Sequence, residues 1–527
     1  MPSTFHGIEI SKRGIFAQQS ALNTASHNVA NANTEGYTRQ RANMQATPGM
    51  PAPGMNVSRE PGQIGTGVQV TELQRIRESY LDNQFRTENK HFGYWEARRD
   101  GLEKIETIMN EPSDTGLQKV MDQLWQSWQD LAKEPESLSA RAVVRQRAIA
   151  VAETFSSITT SLNELQNDLD NVVQVKATDI NSMAQQIANL NKQIGDVVPH
   201  GYQPNDLYDQ RDVLIDKLSK MAEVQVTQSD KGMVNIKIEG KDLVTGSSSV
   251  PMTTTKNATT GFVEIQLGGT AFIPQTGSLA GTFEARGNAK VDTIVGADGT
   301  QQQVVTYNGP IPDIMKRLDL LAINLTKEIN DIHRKGMNMF DIDNKKNNAS
   351  TPLQDLPFFV DADAADKDPN TKTYPSSARK IVVNPAIINS LNAIAAAQVE
   401  ALGSSAGTSF EGDGRNARDI ASIKFKTLKA GTGSGDLDAT TTLDDYYRYT
   451  IASLGVDSQE ADRMQKNSEI LVGQVENQRQ SVSGVSIDEE MAEMVKYQHA
   501  FSASARVMTS MDEILDKVIN GMGKVGL

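Results

Sequence analysis

The strongest constraint on this chain lies at its two ends. Ile8, Ile15, Leu22 and Val29 recur at intervals of seven near the start, and Ile487, Met494, Phe501, Met508, Leu515 and Met522 do so near the finish. A seven-residue repeat marks a helix that packs against another helix. Both stripes are thin, with one large apolar residue per heptad; at the N-terminal end Ser11, Gln18, Ala25 and Ala32 fill the intervals. Such a helix buries too little surface to offset the entropy of ordering it. Each end therefore needs partner helices. Charge suits a pairing of the two: residues 1–60 carry 5 basic and 3 acidic groups, residues 480–527 carry 4 basic and 7 acidic. Periodicity alone leaves two readings open: the ends pack on the protein's own core, or they pair with each other and with copies of themselves and stay mobile until neighbours supply the missing face.

At 527 residues the whole chain has room for about three or four domains. The N-terminal helix gives way at Asn28-Val-Ala-Asn31-Ala-Asn33-Thr34-Glu-Gly36, which is turn and cap chemistry. Residues 48–67, with four prolines and five glycines, read as a loop, and Val68 and Val70 as a short strand. Helical spacing resumes from Arg75 to Asn110. Residues 136–194 contain no Gly or Pro over 59 positions, and their apolar residues step by three and four from Phe155 to Ile194. The spacing predicts one helix about 90 Å long, with a phase shift at Lys176. Alternation at Val224, Val226 and Val234, Ile236, Ile238 around Asp230-Lys-Gly232 predicts a hairpin, with further strands at 262–267 and 304–305. A helix is expected from Pro312 to a stop at Arg334-Lys-Gly336, and another from Asp457 to Gln480. Ser486-Ile-Asp-Glu489 is a capping box before the last helix.

The expected fold is therefore α+β and multidomain: a long, coiled-coil-like helical bundle built from both termini, with inserted β-rich outer domains. Residues 1–60 with 480–527 form the terminal assembly domain. Residues 61–221 with 310–340 and 441–479 form the long-helix domain, and 222–309 a β-rich domain. Residues 341–440 form a mixed, loop-rich insertion, the candidate for a second outer domain.

Composition narrows function. A net charge of −14 disfavours nucleic acid and anionic membranes as partners. Cysteine is absent, which excludes disulfides and thiolate chemistry. A cross-link would hinder a chain that travels unfolded, although chance and an oxidising destination explain the absence as well. Glu9, Lys12 and Arg13 interrupt any signal-peptide core, and no run approaches a membrane span. The chain reads as intracellular, or exported without a cleaved signal. No histidine pair has metal-ligand spacing on a helix, and no P-loop lysine or G-x-S-x-G elbow occurs. Gly431-Thr-Gly433-Ser-Gly435 lacks the strand–helix context of a phosphate loop, and Asp341, Asp343, Asp361 and Asp363 lack the Gly and Glu of a calcium loop. No catalytic, metal or cofactor site is expected.

The ends also carry recognisable wording. Ser20-Ala-Leu22 through Asn28-Val-Ala-Asn-Ala-Asn-Thr-Glu-Gly-Tyr37-Thr-Arg-Gln40 resembles the N-terminal signature of the bacterial flagellar rod, hook and hook-associated proteins. Ser481-Val-Ser-Gly-Val-Ser-Ile-Asp-Glu-Glu-Met-Ala492, with Tyr497-Gln498 and Met511-Asp-Glu-Ile-Leu515, resembles their C-terminal signature, and its wording lies nearest the hook-associated junction proteins. The match is close over about the first and last 90 residues, and landmarks such as Gly281-Thr-Phe-Glu-Ala-Arg286 follow it through the middle. Residues 287–309 look longer than the family's connection.

The resemblance implies a non-enzymatic structural part of the flagellum, a self-assembling ring or adaptor at the hook–filament junction. It implies as partners copies of the chain, the hook protein, the second junction protein (hook-associated protein 3) and a small export chaperone. It also implies type III export to an extracellular position. Asn28, Asn31, Asn33, Thr34, Gly36 and Tyr37 are then the N-terminal assembly motif. Met491, Met494, Phe501, Met508 and Leu515 are candidates for the chaperone contact. The rivals are a hook or rod protein, a surface adhesin acting through the β-rich domain, and an enzyme carried on a flagellar scaffold. The last would need a convergent His/Asp/Glu set in 222–440, where His333 is the one histidine.

Overall fold

The computed structural model describes residues 5–50, 64–295, 301–347, 352–368, 371–400, 407–428, 437 and 440–521. Most of the Pro/Gly-rich loop, the Gly431–Gly435 loop and Met522 lie outside the described residues.

Helix α1 (His6–Ala30) leads through the Asn-rich turn into an antiparallel ribbon of β1 (Gln40–Ala46) and β2 (Val68–Arg75), with Gln40 opposite Arg75. Helix α2 (Ser79–Met109) ends where Asn110 takes a left-handed φ of 47°. Helices α3 (Leu117–Lys133) and α4 (Leu138–Val197) follow. The Ser137 hydroxyl accepts from the Ala140 amide and caps α4, which runs unbroken for 60 residues. Helix α5 (Asn205–Met221) turns back along it.

Two small antiparallel sheets come next. One orders β3 (Val224–Gln228), β4 (Val234–Ile238), β5 (Lys241–Thr245) and β6 (Ser248–Ser249); the other orders β7 (Met252–Lys256), β8 (Val263–Leu267) and β9 (Thr270–Phe272). The hairpin expected around Asp230–Gly232 is present, with Val224 paired to Ile238. Helix α6 (Gly277–Arg286) was not foreseen: its glycines hid it. Those same glycines let it approach its neighbours: a Cβ on Gly281 would stand 2.4 Å from the Tyr94 carbonyl oxygen of α2, and one on Gly277 2.4 Å from the Met221 carbonyl of α5. A ribbon of β10 (Asn288–Val295) and β11 (Gln301–Asn308) occupies most of the long 287–309 connection.

Helix α7 (Pro310–His333) starts two residues before the expected Pro312 and stops at the expected place. Short elements fill the next hundred residues: α8 (Met339–Asn347), α9 (Ala362–Ala365), α10 (Pro385–Asn389) and α11 (Arg415–Ser422). Two strand pairs accompany them, β12 (Gly336–Met337) with β15 (Ala397–Gln398) and β13 (Phe359–Asp361) with β14 (Ile381–Val383). Helix α12 (Leu443–Ser483) begins fourteen residues before the expected Asp457, at a Thr442 cap that accepts from the Asp445 amide. Gly484 separates it from α13 (Ile487–Gly521).

Two cores share α4. Its first half, from Val144 to Leu169, packs with α2, α3 and α7 around Trp128, Phe155 and Phe358. Its second half, from Val173 to Ala188, packs with α5, α6 and the two sheets. The phase shift at Lys176 falls just after the change of core. There the ammonium donates to the Ser278 carbonyl (2.9 Å), and burial lowers its pKa to about 8. Most buried apolar residues of 352–428, including Phe358, Phe359, Ile381, Ile387, Ile394 and Ile420, join the first core. Among the described residues no helix is long and apolar enough to cross a membrane.

Candidate functional site

The two ends of the chain meet as an antiparallel pair, α1 against α13. A Cβ on Gly7 would touch the Met511 sulfur, a Cβ on Gly14 would touch Ser504, and the Asn28 amide bonds Glu490. Each step of seven along α1 is thus a step of seven back along α13. The seam on α1 consists of small residues: Ser11, Ala17, Ala21, Thr24, Ala25 and Asn28 are its buried positions.

The large heptad residues lie beside the seam. Ile8, Ile15, Leu22 and Val29 each follow a seam position and are half-buried. Met494, Phe501 and Met508 lie four after a seam position on α13 and are half-buried too; Leu515 is buried, and Ile487 and Met491 are exposed. At 3.6 residues per turn, with the helices antiparallel, both sets fall on one flank of the pair. The β1–β2 ribbon covers the other flank: His6 Nε2 bonds the Gly65 carbonyl (3.1 Å) and Arg13 donates to the Thr66 carbonyl (3.3 Å). An open apolar ridge from both ends of the chain results.

One end of the seam is closed by a polar joint. Asn28 Nδ2 donates to the Gln40 carbonyl (2.8 Å) and to Glu490 Oε2 (2.9 Å). Asn28 Oδ1 accepts from the Gln40 amide (3.0 Å) and the Tyr37 hydroxyl (2.8 Å). Arg39 donates to Glu490 (2.6 Å) and Glu489 (2.9 Å), and its amide donates to the Ser483 carbonyl. Burial, with Asp206, Asp209 and Glu490 nearby, pushes the Tyr37 phenol well above its ordinary range, so it remains a donor. Within the turn, Asn31 donates to the His27 carbonyl and Thr34 to Asn31; Asn33 is exposed. Gly36 has a φ of 75°, and a Cβ there would stand 2.0 Å from Val213 Cγ2. The joint brings the two signatures together: Asn28, Gly36 and Tyr37 do structural work at it, whereas Asn33 faces solvent.

Behind the joint lies an ion cluster that sequence reasoning missed. Arg75 pairs with Asp209 and Asp212 (2.7 Å each), Arg77 with Asp82 (2.7 Å), Arg86 with Asp216 (2.8 Å) and Arg479 with Asp216 (2.5 Å). Burial alone would raise Asp212, but Arg77, Arg75 and Arg86 together hold it below the usual carboxylate range. For Asp209 burial wins over Arg75, and its pKa rises. The Thr38 amide donates to Asp209 (3.0 Å), which ties the cluster to the joint. The cluster fixes how the terminal pair meets α2, α5 and α12. Its signal was the series Asp206, Asp209, Asp212 and Asp216 on one face of α5, with Arg75 at the end of β2 and Arg77 two residues beyond it. That pattern is indistinguishable from a solvated helix face until the tertiary contacts are known.

Two sequence signatures joined at one seam define the class: the axial proteins of the bacterial flagellum. Three family models match in agreement with this. Residues 8–38 match the flagella basal body rod protein, 476–521 the C-terminal region of the flagellar basal body rod FlgEFG proteins, and 102–347 the helical domain of the flagellar hook-associated protein FlgK. The chain is 37% identical to flagellar hook-associated protein 1 of Bacillus subtilis over the whole of both chains. It is 26% identical to that of Salmonella typhimurium and 25% identical to that of Escherichia coli, each over 96% of this chain and 98% of the relative. The solved flagellar hook junction protein FlgK of Burkholderia pseudomallei shares the fold, with a TM-score of 0.58 at 15% identity over 76% of this chain and all of that one. The chain belongs to the flagellar hook-associated protein 1 family, the structural hook–filament junction proteins of the flagellum.

Proposed function

We propose that this chain is a ring-forming adaptor between hook and filament, acting by self-assembly and without catalysis. The observation that carries the reading is the open ridge of Ile8, Ile15, Leu22, Val29, Met494, Phe501 and Met508. A thin helix pair with an uncovered apolar flank gains most by laying that flank on a neighbour. Copies of the chain supply that neighbour within the ring. The hook protein meets one edge of the ring, and hook-associated protein 3 meets the other. Before export a small chaperone holds α13 by Met491, Met494, Phe501, Met508 and Leu515, a flexible apolar stripe suited to a groove. The chain leaves by the type III route without a cleaved signal and functions outside the cell.

The test is complementation of a deletion strain, read by electron microscopy and by filament protein in the medium. The wild-type chain restores filaments. Leu22→Glu and Met494→Glu, which change the ridge but not the seam, leave complete hooks without filaments and spill filament subunits. Normal filaments with both variants would refute the reading.

A further inference from the structure

Three methionines of α13 lie on the open flank of the terminal pair. Five of the chain's 19 methionines fall in its last 48 residues: Met491, Met494, Met508, Met511 and Met522, the last outside the described residues. Four body methionines, Met109, Met121, Met252 and Met337, are at most 3% exposed, and others, Met183 and Met315 among them, are half-buried. Met491, by contrast, is 56% exposed, and Met494 and Met508 are half-buried along the open ridge. Their helix neighbours on that flank are Ile487, Phe501 and, across the seam, Ile8, Ile15 and Leu22. Met491 is open to solvent and Met494 and Met508 are partly so, and peroxide can reach all three.

We propose that Met491, Met494 and Met508 form an oxidation-sensitive site that controls self-assembly; this rests on the ridge being the contact between copies. The reaction needs only the chain and a peroxide. Hydrogen peroxide transfers one oxygen to the thioether sulfur: the O–O bond breaks, an S–O bond forms, and water leaves. The sulfur loses two electrons and the peroxide gains them. Thioether oxidation follows access, so exposure sorts the methionines. The product carries a strong acceptor on a side chain that was apolar. In the free chain that acceptor is hydrated and costs nothing. On a closed ridge it loses water and finds no donor. A neighbour laid on the ridge also shields the sulfurs, so the free subunit is the sensitive form and the ring the resistant one.

The experiment treats the full chain with hydrogen peroxide, maps sulfoxides by peptide mass spectrometry, and measures assembly by light scattering. A Met50→Leu background removes another strongly exposed methionine. Expected are oxidation of Met491 first, then Met494 and Met508, with Met109, Met121, Met252 and Met337 spared. Assembly slows about tenfold for each sulfoxide on the ridge, equivalent to about 1.4 kcal/mol. Methionine sulfoxide reductase restores it, and preformed rings resist modification at the three sites. The variant Met491→Leu/Met494→Leu/Met508→Leu assembles after peroxide as before it. Unchanged assembly of a chain carrying all three sulfoxides would overturn the proposal, as would equal peroxide sensitivity of the leucine variant. Should Leu22→Glu block assembly while the sulfoxides do not, this inference alone falls. Should Leu22→Glu assemble normally, the ridge reading itself falls.

Discussion

Replacing Arg479 with methionine removes one cation from the cluster that seats the terminal pair on the body. The guanidinium lies 2.5 Å from Asp216, 2.8 Å from Glu476 and 3.6 Å from Asp82, and 4.3 Å from the Phe85 ring centre. Its side chain is 16% exposed. Without it, Arg75, Arg77 and Arg86 face Asp82, Asp209, Asp212 and Asp216, and one buried carboxylate is left uncompensated. Breaking a fully buried pair costs about 3–5 kcal/mol. Two features reduce that here: the residual exposure, and Arg86 and Arg77, which also reach Asp216 at 2.8 and 3.9 Å. Methionine keeps the aliphatic packing, so about 2–3 kcal/mol is expected from the charge itself. Native-state hydrogen exchange of the full chain reads this locally. Amides of 470–483 should exchange about 30- to 150-fold faster, with α4 unchanged. Adding Asp216→Asn removes the surplus charge and should recover about 1–2 kcal/mol as coupling. A change under about threefold, or a double variant worse than the sum of the single ones, would refute the reasoning.

Gly36→Ala should cost about 2–4 kcal/mol, from the positive φ and from overlap with Val213; adding Val213→Ala should return the overlap part and leave about 1 kcal/mol, measured by exchange of the Thr38 amide. His333 donates from Nδ1 to the Leu356 carbonyl and accepts at Nε2 from the Ala395 amide, and burial lowers its pKa from 6.5 to about 4. The unfolded chain then binds the extra proton more readily. The stability from neutral His333 is therefore whole above about pH 6.5 and lost as pH falls toward 4, up to about 3 kcal/mol. Urea unfolding of His333→Gln between pH 7 and 4.5 should show a flatter slope than wild type, and equal slopes would contradict the assignment.

Periodicity made the long elements legible. α4 was read from a 59-residue window without Gly or Pro, and even its change of core was written in the sequence as Lys176 breaking the stripe. The terminal stripes were legible as helices, but their seam was not. A heptad search weighs large residues, and here the contact runs through Gly7, Gly14, Ala21 and Asn28, with the large residues at its edge. Short elements escaped for related reasons. α6 carries its two glycines where α2 and the end of α5 pass close by, and the start of α12 was missed because Tyr446 and Tyr447 bury themselves in the first core without a visible repeat. The ion cluster could not be read at all, since its residues come from four elements spread over some four hundred positions of the chain.

The central claim is that neighbours, not the single chain, hold the terminal pair. On α1 only Ala17, Ala21 and Ala25 are buried apolar residues, and on α13 only Leu515. Ordering helices of 25 and 35 residues costs about 1 kcal/mol or more per residue, so a seam this small leaves them weakly held. Hydrogen exchange of residues 8–28 and 490–515, in the free chain and after assembly, tests this most directly. The account predicts fast exchange in the free chain and slow exchange in the ring, with α4 equally protected in both. Terminal helices as strongly protected as α4 in the free chain would contradict it.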